Sequence, residues 1–159
     1  MAFIWAAGII FVIDLLFKES IEDQEPEGFP REMEKSGGRI WLYRNHNEGF
    51  PFGFLRKKQW LVKNVPLVIT SALAGILLWL TPRKGQLLEK TALACVVGGS
   101  LSNLYDRLVR GYVVDYFSIQ WKQLKKVVFN LGDLFIFLGA GLLLVSELVQ
   151  WCREAISKR

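Results

Sequence analysis

Four of the chain's five aspartates, Asp14, Asp106, Asp115 and Asp133, fall inside or beside apolar segments, while the acidic stretch after Lys18 is mostly glutamate. An ionised carboxylate in hydrocarbon is costly, so such a group has to face a partner, a cavity or a path for water. Asp14 has Lys18 at i+4 and Asp106 is followed by Arg107, so both could be ion pairs at a membrane interface. Asp115 and Asp133 have no basic neighbour at helical spacing, and one short connection puts them at the same end of their segments. Two carboxylates brought close in a low-dielectric site cannot both ionise, which supplies an acid and a base together. A water between them could lose its proton to the carboxylate and attack an amide carbonyl while the protonated partner donates to the oxygen, as in aspartic peptidases. Other hydrolytic chemistries find less to work with. The sole histidine, His46, cannot form a His₂ zinc site and lies in a polar loop, and neither HExxH nor GxSxG occurs. Ser118 and Lys122 could form a Ser/Lys dyad, but nothing around them would depress a lysine pKa.

The elements that must position these residues point to a bilayer. The chain is 52% hydrophobic, with a mean hydropathy of +0.26, and its apolar residues are bunched in runs of roughly 16 to 20, the length of a spanning helix. Helices are predicted over about 1–17, 65–80, 87–105 and 127–151. The first lacks a basic leader region and a small-residue cleavage site, so it is expected to stay in place. The second ends at Thr81-Pro82-Arg83-Lys84, an interface pattern. The fourth opens with FNLGD, which sets Asp133 about a turn inside the membrane. In the third, Gly99, Ser102, Asn103 and Asp106 recur at i, i+3, i+4 and i+7 and form a small, polar stripe suited to close helix packing or a substrate. The expected fold is membrane all-α: a four-transmembrane-helix bundle in one domain over 1–159. Aromatic and β-branched residues around Gly and Pro predict a small β-rich extramembrane cradle over about 19–63. Residues 109–126 are too mixed to span and are expected to be half-immersed or strand-like.

The net charge of +5 comes from basic residues in loops between apolar runs, with no nucleic-acid motif, so a membrane-flanking role is expected and no nucleic-acid partner. Loop one holds nine Lys/Arg against three over 83–90, which opposes a simple positive-inside reading with cytoplasmic termini. Charge alone therefore leaves the orientation open. Cys95 and Cys152 have no spacing for a metal or a disulfide framework and are read as small hydrophobes.

The stretches GGSLSNLYDRLVRGYVVDYF and VFNLGD resemble the two signature blocks of lipoprotein signal peptidase (signal peptidase II), GG-small-x-small-N-x-x-DR with VxDF downstream, then FNxAD. DLLFK (Asp14 to Lys18) resembles that family's DQxxK, and NEGFPFGFL (Asn47 to Leu55) resembles its NxGxAFS, with all four blocks in family order. The resemblance implies that Asp115 and Asp133 are the catalytic dyad. It implies that Asn103, Arg107 and Asn130 form the polar shell around dyad and substrate, that Asn47 and Gly49 close over substrate, and that Asp14, Lys18 and Asp106 give structural support. It further implies a monomeric, multi-pass enzyme of the bacterial inner membrane, in contact with membrane lipid. Such an enzyme removes signal peptides from prolipoproteins by cutting before the diacylglyceryl cysteine, and needs no metal or cofactor. Leu15, Pro51, Gly53, Ser102 and Gly132 depart from the family pattern without removing an acid or its polar partner. Pro51 fixes its own φ and lacks an N–H, so the departures bear on substrate preference or inhibitor contact more than on the chemistry. Two other readings use the same residues: a non-catalytic membrane module that binds lipoproteins or lipid, and a proton-coupled transporter, against which the absence of an internal repeat argues.

Overall fold

A computed structural model describes residues 1–50 and 55–157. In chain order it contains α1 (Ala2–Glu22), β1 (Arg31–Glu32), β2 (Ile40–Asn47), α2 (Gln59–Leu80), α3 (Leu87–Val109), β3 (Val113–Ile119) and α4 (Leu131–Ser157), with short 3₁₀ turns at Pro26–Gly28 and Leu124–Lys126. α3 is the central helix: 14 of its 23 residues are buried, and it packs on each of the other three. Glycines let it approach that closely. A methyl group on Gly98 would fall 2.7 Å from the Ala7 carbonyl oxygen of α1, and one on Gly99 would collide with the Gly132 carbonyl of α4.

The helices turn apolar side chains outward. α1 exposes Trp5, Ile9, Val12, Ile13 and Leu16 along one stripe and buries Asp14 and Lys18 on the opposite face. α2 and α4 likewise expose Val68, Leu78, Trp79, Phe137, Leu144 and Leu148. Among the described residues, two helices are long and apolar enough to cross a membrane, Gln59–Leu80 and Leu131–Ile156. The other two of the expected four carry several charged residues along their length: Asp14, Lys18 and Glu19 on α1, and Glu89, Lys90, Asp106 and Arg107 on α3.

The sheet has the order β1-β2-β3, with both pairings antiparallel. Its third strand comes from the strand-like stretch after α3, so the sheet joins two regions far apart in sequence. Gly111, at φ +86°, ends α3 in the left-handed conformation that favours glycine and turns the chain into β3. Between Leu42 and Asn45 the β2–β3 register slips by one residue, since Leu42 faces Phe117 and Asn45 faces Asp115. Without that bulge the end of β2 would present the other set of side chains to β3. Beyond β3, Phe129 exchanges backbone hydrogen bonds with Phe117. This extended segment is why α4 starts at Leu131 and not at 127. Three other boundaries shift too: α1 continues to Glu22, α2 begins at Gln59 and α3 runs to Val109.

Candidate active site

The bridge between Phe117 and Phe129 sets Asn130 beside Asp115, and α4 begins one residue later. Asn130 caps that helix: its Oδ1 accepts the Asp133 backbone N–H at 2.8 Å, while Asp133 Oδ2 accepts the Asn130 backbone N–H at 3.3 Å. This is the reciprocal arrangement of a capping box, built here from Asn and Asp. With its oxygen committed, the Asn130 amide nitrogen donates to Asp115 Oδ1 at 2.8 Å.

Two further asparagines follow the same plan. Asn47 Oδ1 accepts the Gly49 N–H at 3.0 Å, leaving Nδ2 to donate to Asp115 Oδ2 at 3.1 Å. Asn103 Oδ1 accepts from Lys18 Nζ at 2.8 Å, leaving Nδ2 to donate to Asp133 Oδ1 at 2.8 Å. Each of the four carboxylate oxygens thus receives one hydrogen bond. Each of the three amides has its oxygen tied elsewhere, so the nitrogen must face the acid. Asp115 and Asp133 line one cavity of about 280 Å³ with Asn47, Asn103 and Arg107, walled by Val113, Phe129 and Phe137. Burial first, and then the neighbouring Asp133 charge, push the Asp115 carboxyl up to about 7. Asp133 sits in the first turn of α4, where the helix dipole favours negative charge.

Beneath the dyad lies an ionic cluster whose centre is fully buried. Lys18 Nζ lies 2.9 Å from Asp14 Oδ2, 3.0 Å from Asp106 Oδ2 and 2.9 Å from Ser102 Oγ. The Ser102 hydroxyl donates to Asp14 Oδ2 at 2.6 Å. Asp106 Oδ1 takes Arg110 at 2.8 Å, and its Oδ2 also accepts the Val114 N–H at 3.1 Å, which ties β3 to α3. Arg110, at the partly exposed edge of the cluster, also pairs with Glu19 at 2.7 Å, so every buried charge of the cluster has an opposite partner. The Asp14–Lys18 pair expected from sequence is present, with both side chains buried, whereas Asp106 pairs with Lys18 and Arg110 instead of Arg107. Arg107 lines the dyad cavity. It donates to the Asn103 and Gly49 carbonyls at 3.1 and 3.3 Å, and its Nε–H has no partner among the described residues.

Sequence reasoning missed Arg110 and Tyr116. Arg110 stands at i+4 from Asp106, a spacing that could have revealed it. The Tyr116 hydroxyl donates to Asp14 Oδ1 and accepts the Leu131 N–H, both at 3.0 Å, and only the tertiary fold brings those together. Ser118 is buried and hydrogen-bonds to the Leu124 carbonyl, whereas Lys122 lies over the Trp121 ring. His46 stacks on Tyr112 at 4.0 Å between ring centres and holds Glu22 at 2.8 Å. The departures at Pro51 and Gly53 lie outside the described residues. No group of three or more His, Cys, Asp or Glu side chains suited to a metal occurs among the described residues.

Comparisons with known proteins add a family. A family model described as "Signal peptidase (SPase) II" matches residues 6–149. The lipoprotein signal peptidases of Brucella ovis and Brucella melitensis biotype 1 are each 40% identical over 118 residues, covering 73% of this chain and 72% of theirs. Two solved structures, described as bacterial membrane enzymes determined by the in meso method at 2.3 Å and 1.9 Å, share the fold with TM-scores of 0.78 and 0.77. Both are 21% identical and cover 92% of this chain, and the chain covers 87% and 92% of theirs.

Proposed function

Since this chain belongs to the signal peptidase II family, we propose that it is an aspartic endopeptidase that removes signal peptides from lipid-modified prolipoproteins, cutting before the diacylglyceryl cysteine. The observation that carries the mechanism is the set of three asparagines whose amide nitrogens all face two carboxylates in one cavity. Asp133, at the N-terminus of α4, holds the negative charge and acts as base on a water. Asp115, raised to about 7, holds the shared proton and donates it to the carbonyl oxygen. Arg107, with a spare N–H beside the dyad, binds the substrate backbone, and Asn47 and Gly49 close the site from the sheet side. Asp14, Lys18 and Asp106 brace this frame from below.

The proposal extends to the setting. All four helices span the bacterial inner membrane, supported by the outward apolar stripe of α1 and by the envelopment of α3 within the bundle. The protein acts as a monomer, in contact with lipid. The decisive assay is gel-shift cleavage of a purified diacylglyceryl prolipoprotein in detergent or lipid. Wild type should cleave, whereas Asp115→Asn and Asp133→Asn should lose at least about two orders of magnitude in rate while remaining folded. Near wild-type turnover by either variant would remove its acid from the mechanism.

A further inference from the structure

The dyad lies where three recesses meet. Asp133 also lines an apolar one of about 300 Å³, walled by Val65, Pro66 and Ile69 of α2 and by Ile136 and Phe137 of α4. Asp115 also lines a polar one of about 280 Å³, walled by Asn45, His46, Glu48, Arg56 and Lys126. The apolar recess is formed by helices, and the polar one by the end of β2 and the segments that precede α2 and α4. A chain with its reacting bond at the dyad therefore has its apolar part among the helices. Its polar continuation lies beside Arg56 and Lys126.

Charge in the polar recess is uneven. Arg56 begins the basic run Arg56-Lys57-Lys58, and Lys126 ends the pair Lys125-Lys126. Glu48 is occupied by Arg56 at 2.6 Å. Glu22 is occupied by His46 and Arg44. Among the described residues Lys126 forms no ion pair. Lys126 is exposed and lines a recess that one acid of the dyad also lines.

We infer that this recess is a subsite for the polypeptide on the C-terminal side of the cleaved bond, and that Lys126 makes it favour an anionic side chain there. The inference rests on the peptidase reading above. Charges at the rim of a site set preference more than raw affinity, and an exposed pair has a modest effect. Anionic lipid headgroups could also draw these basic residues. The substrate is the better occupant because Asp115 itself lines the recess, so whatever fills it must adjoin the reacting bond.

The test uses three prolipoproteins that differ only in the residue after the modified cysteine (Asp, Ser or Lys), assayed in zwitterionic lipid with wild type, Lys126→Gln and Lys126→Glu. Wild type should favour Asp over Lys by roughly three- to five-fold in kcat/KM, the scale of an exposed charge pair. Lys126→Gln should level the preference and Lys126→Glu reverse it. The same order of substrates in all three proteins would overturn the subsite. An equal loss on every substrate, growing with added anionic lipid, would assign Lys126 to the membrane and overturn it as well. Cleavage of none by wild type would overturn the peptidase reading and this inference together, whereas indiscriminate cleavage would overturn this inference alone.

Discussion

An asparagine side chain carries a donor and an acceptor in one plane, so a carboxylate beside it is helped or repelled according to which end is turned toward it. At Asn130 the choice is made by the helix: the cap bond to the Asp133 N–H occupies the oxygen and turns the nitrogen to Asp115. Serine is an equally good cap but too short to reach Asp115. Asn130→Ser should therefore keep the melting temperature within a few degrees of wild type and lower kcat by about 10- to 100-fold. A loss of stability equal to the loss of activity, seen by thermal unfolding in detergent, would show that the cap alone matters. Asp115 makes a prediction of opposite character. Its carboxyl is raised to about 7 in the folded protein, against about 3.9 unfolded, so the folded state holds a proton that the unfolded state has lost. The stability this group provides is complete below about pH 4 and lost as pH rises through about 7. Between about pH 5 and about pH 8, Asp115→Asn should lose less stability than wild type does, while wild-type cleavage declines over the same rise as the shared proton leaves. Parallel stability profiles for the two proteins would show that Asp115 titrates at an ordinary value.

At the level of elements, two departures from the family pattern meet in space. A methyl group on Gly132 would lie 2.9 Å from Asp14 Oδ2 and 2.9 Å from the Gly99 carbonyl. That Asp14 oxygen cannot retreat, because the Ser102 hydroxyl and Lys18 hold it. By the resemblance Ser102 stands at a family glycine and Gly132 at a family alanine, so the methyl missing at Gly132 restores room that the Ser102 side chain removes. Gly132→Ala alone should cost roughly 1–3 kcal/mol by overpacking, and Ser102→Gly added to it should recover part of that loss. Additive effects in a double-mutant cycle of detergent unfolding would refute the coupling. The stripe of Gly99, Ser102, Asn103 and Asp106 was readable in the sequence because all four lie on one helix. So were the nearness of Asp115 and Asp133, which line one cavity, and the strand-like character of 109–126. The partners of Asp106 were not, because Lys18 reaches it from α1 and adjacency to Arg107 says nothing about direction: on a helix, consecutive residues point about 100° apart. The bulge in β2 was equally hidden, since it is defined only against the register of β3.

Across the described residues, six charged side chains are buried while many large apolar ones face out. Segment lengths and hydropathy revealed the helices, of which α2 and α4 are long and apolar enough to span while α1 and α3 carry more charge. Their charged residues are largely spent on one another inside the bundle and not on lipid contact. If all four helices cross, both termini and the turn between α2 and α3 share one face of the membrane, and the sheet lies on the other. Cys152 is exposed and Cys95 is buried. In spheroplasts, an impermeant maleimide should reach either a cysteine placed at Glu34 on the sheet side or Cys152 and a cysteine placed at Arg83, but not all three. Labelling of all three would exclude a four-span topology.

The dyad is also divided along the chain in a way that bears on biosynthesis. Asp115 is translated after α3, while its partner acid and the cap that fixes both arrive only with α4. A chain still emerging from the ribosome, or stalled with three helices inserted, holds a lone carboxylate with no companion to share its proton. On the peptidase reading proposed above, the order of synthesis thus delays the water-activating pair until the cavity walls that α4 supplies are in place.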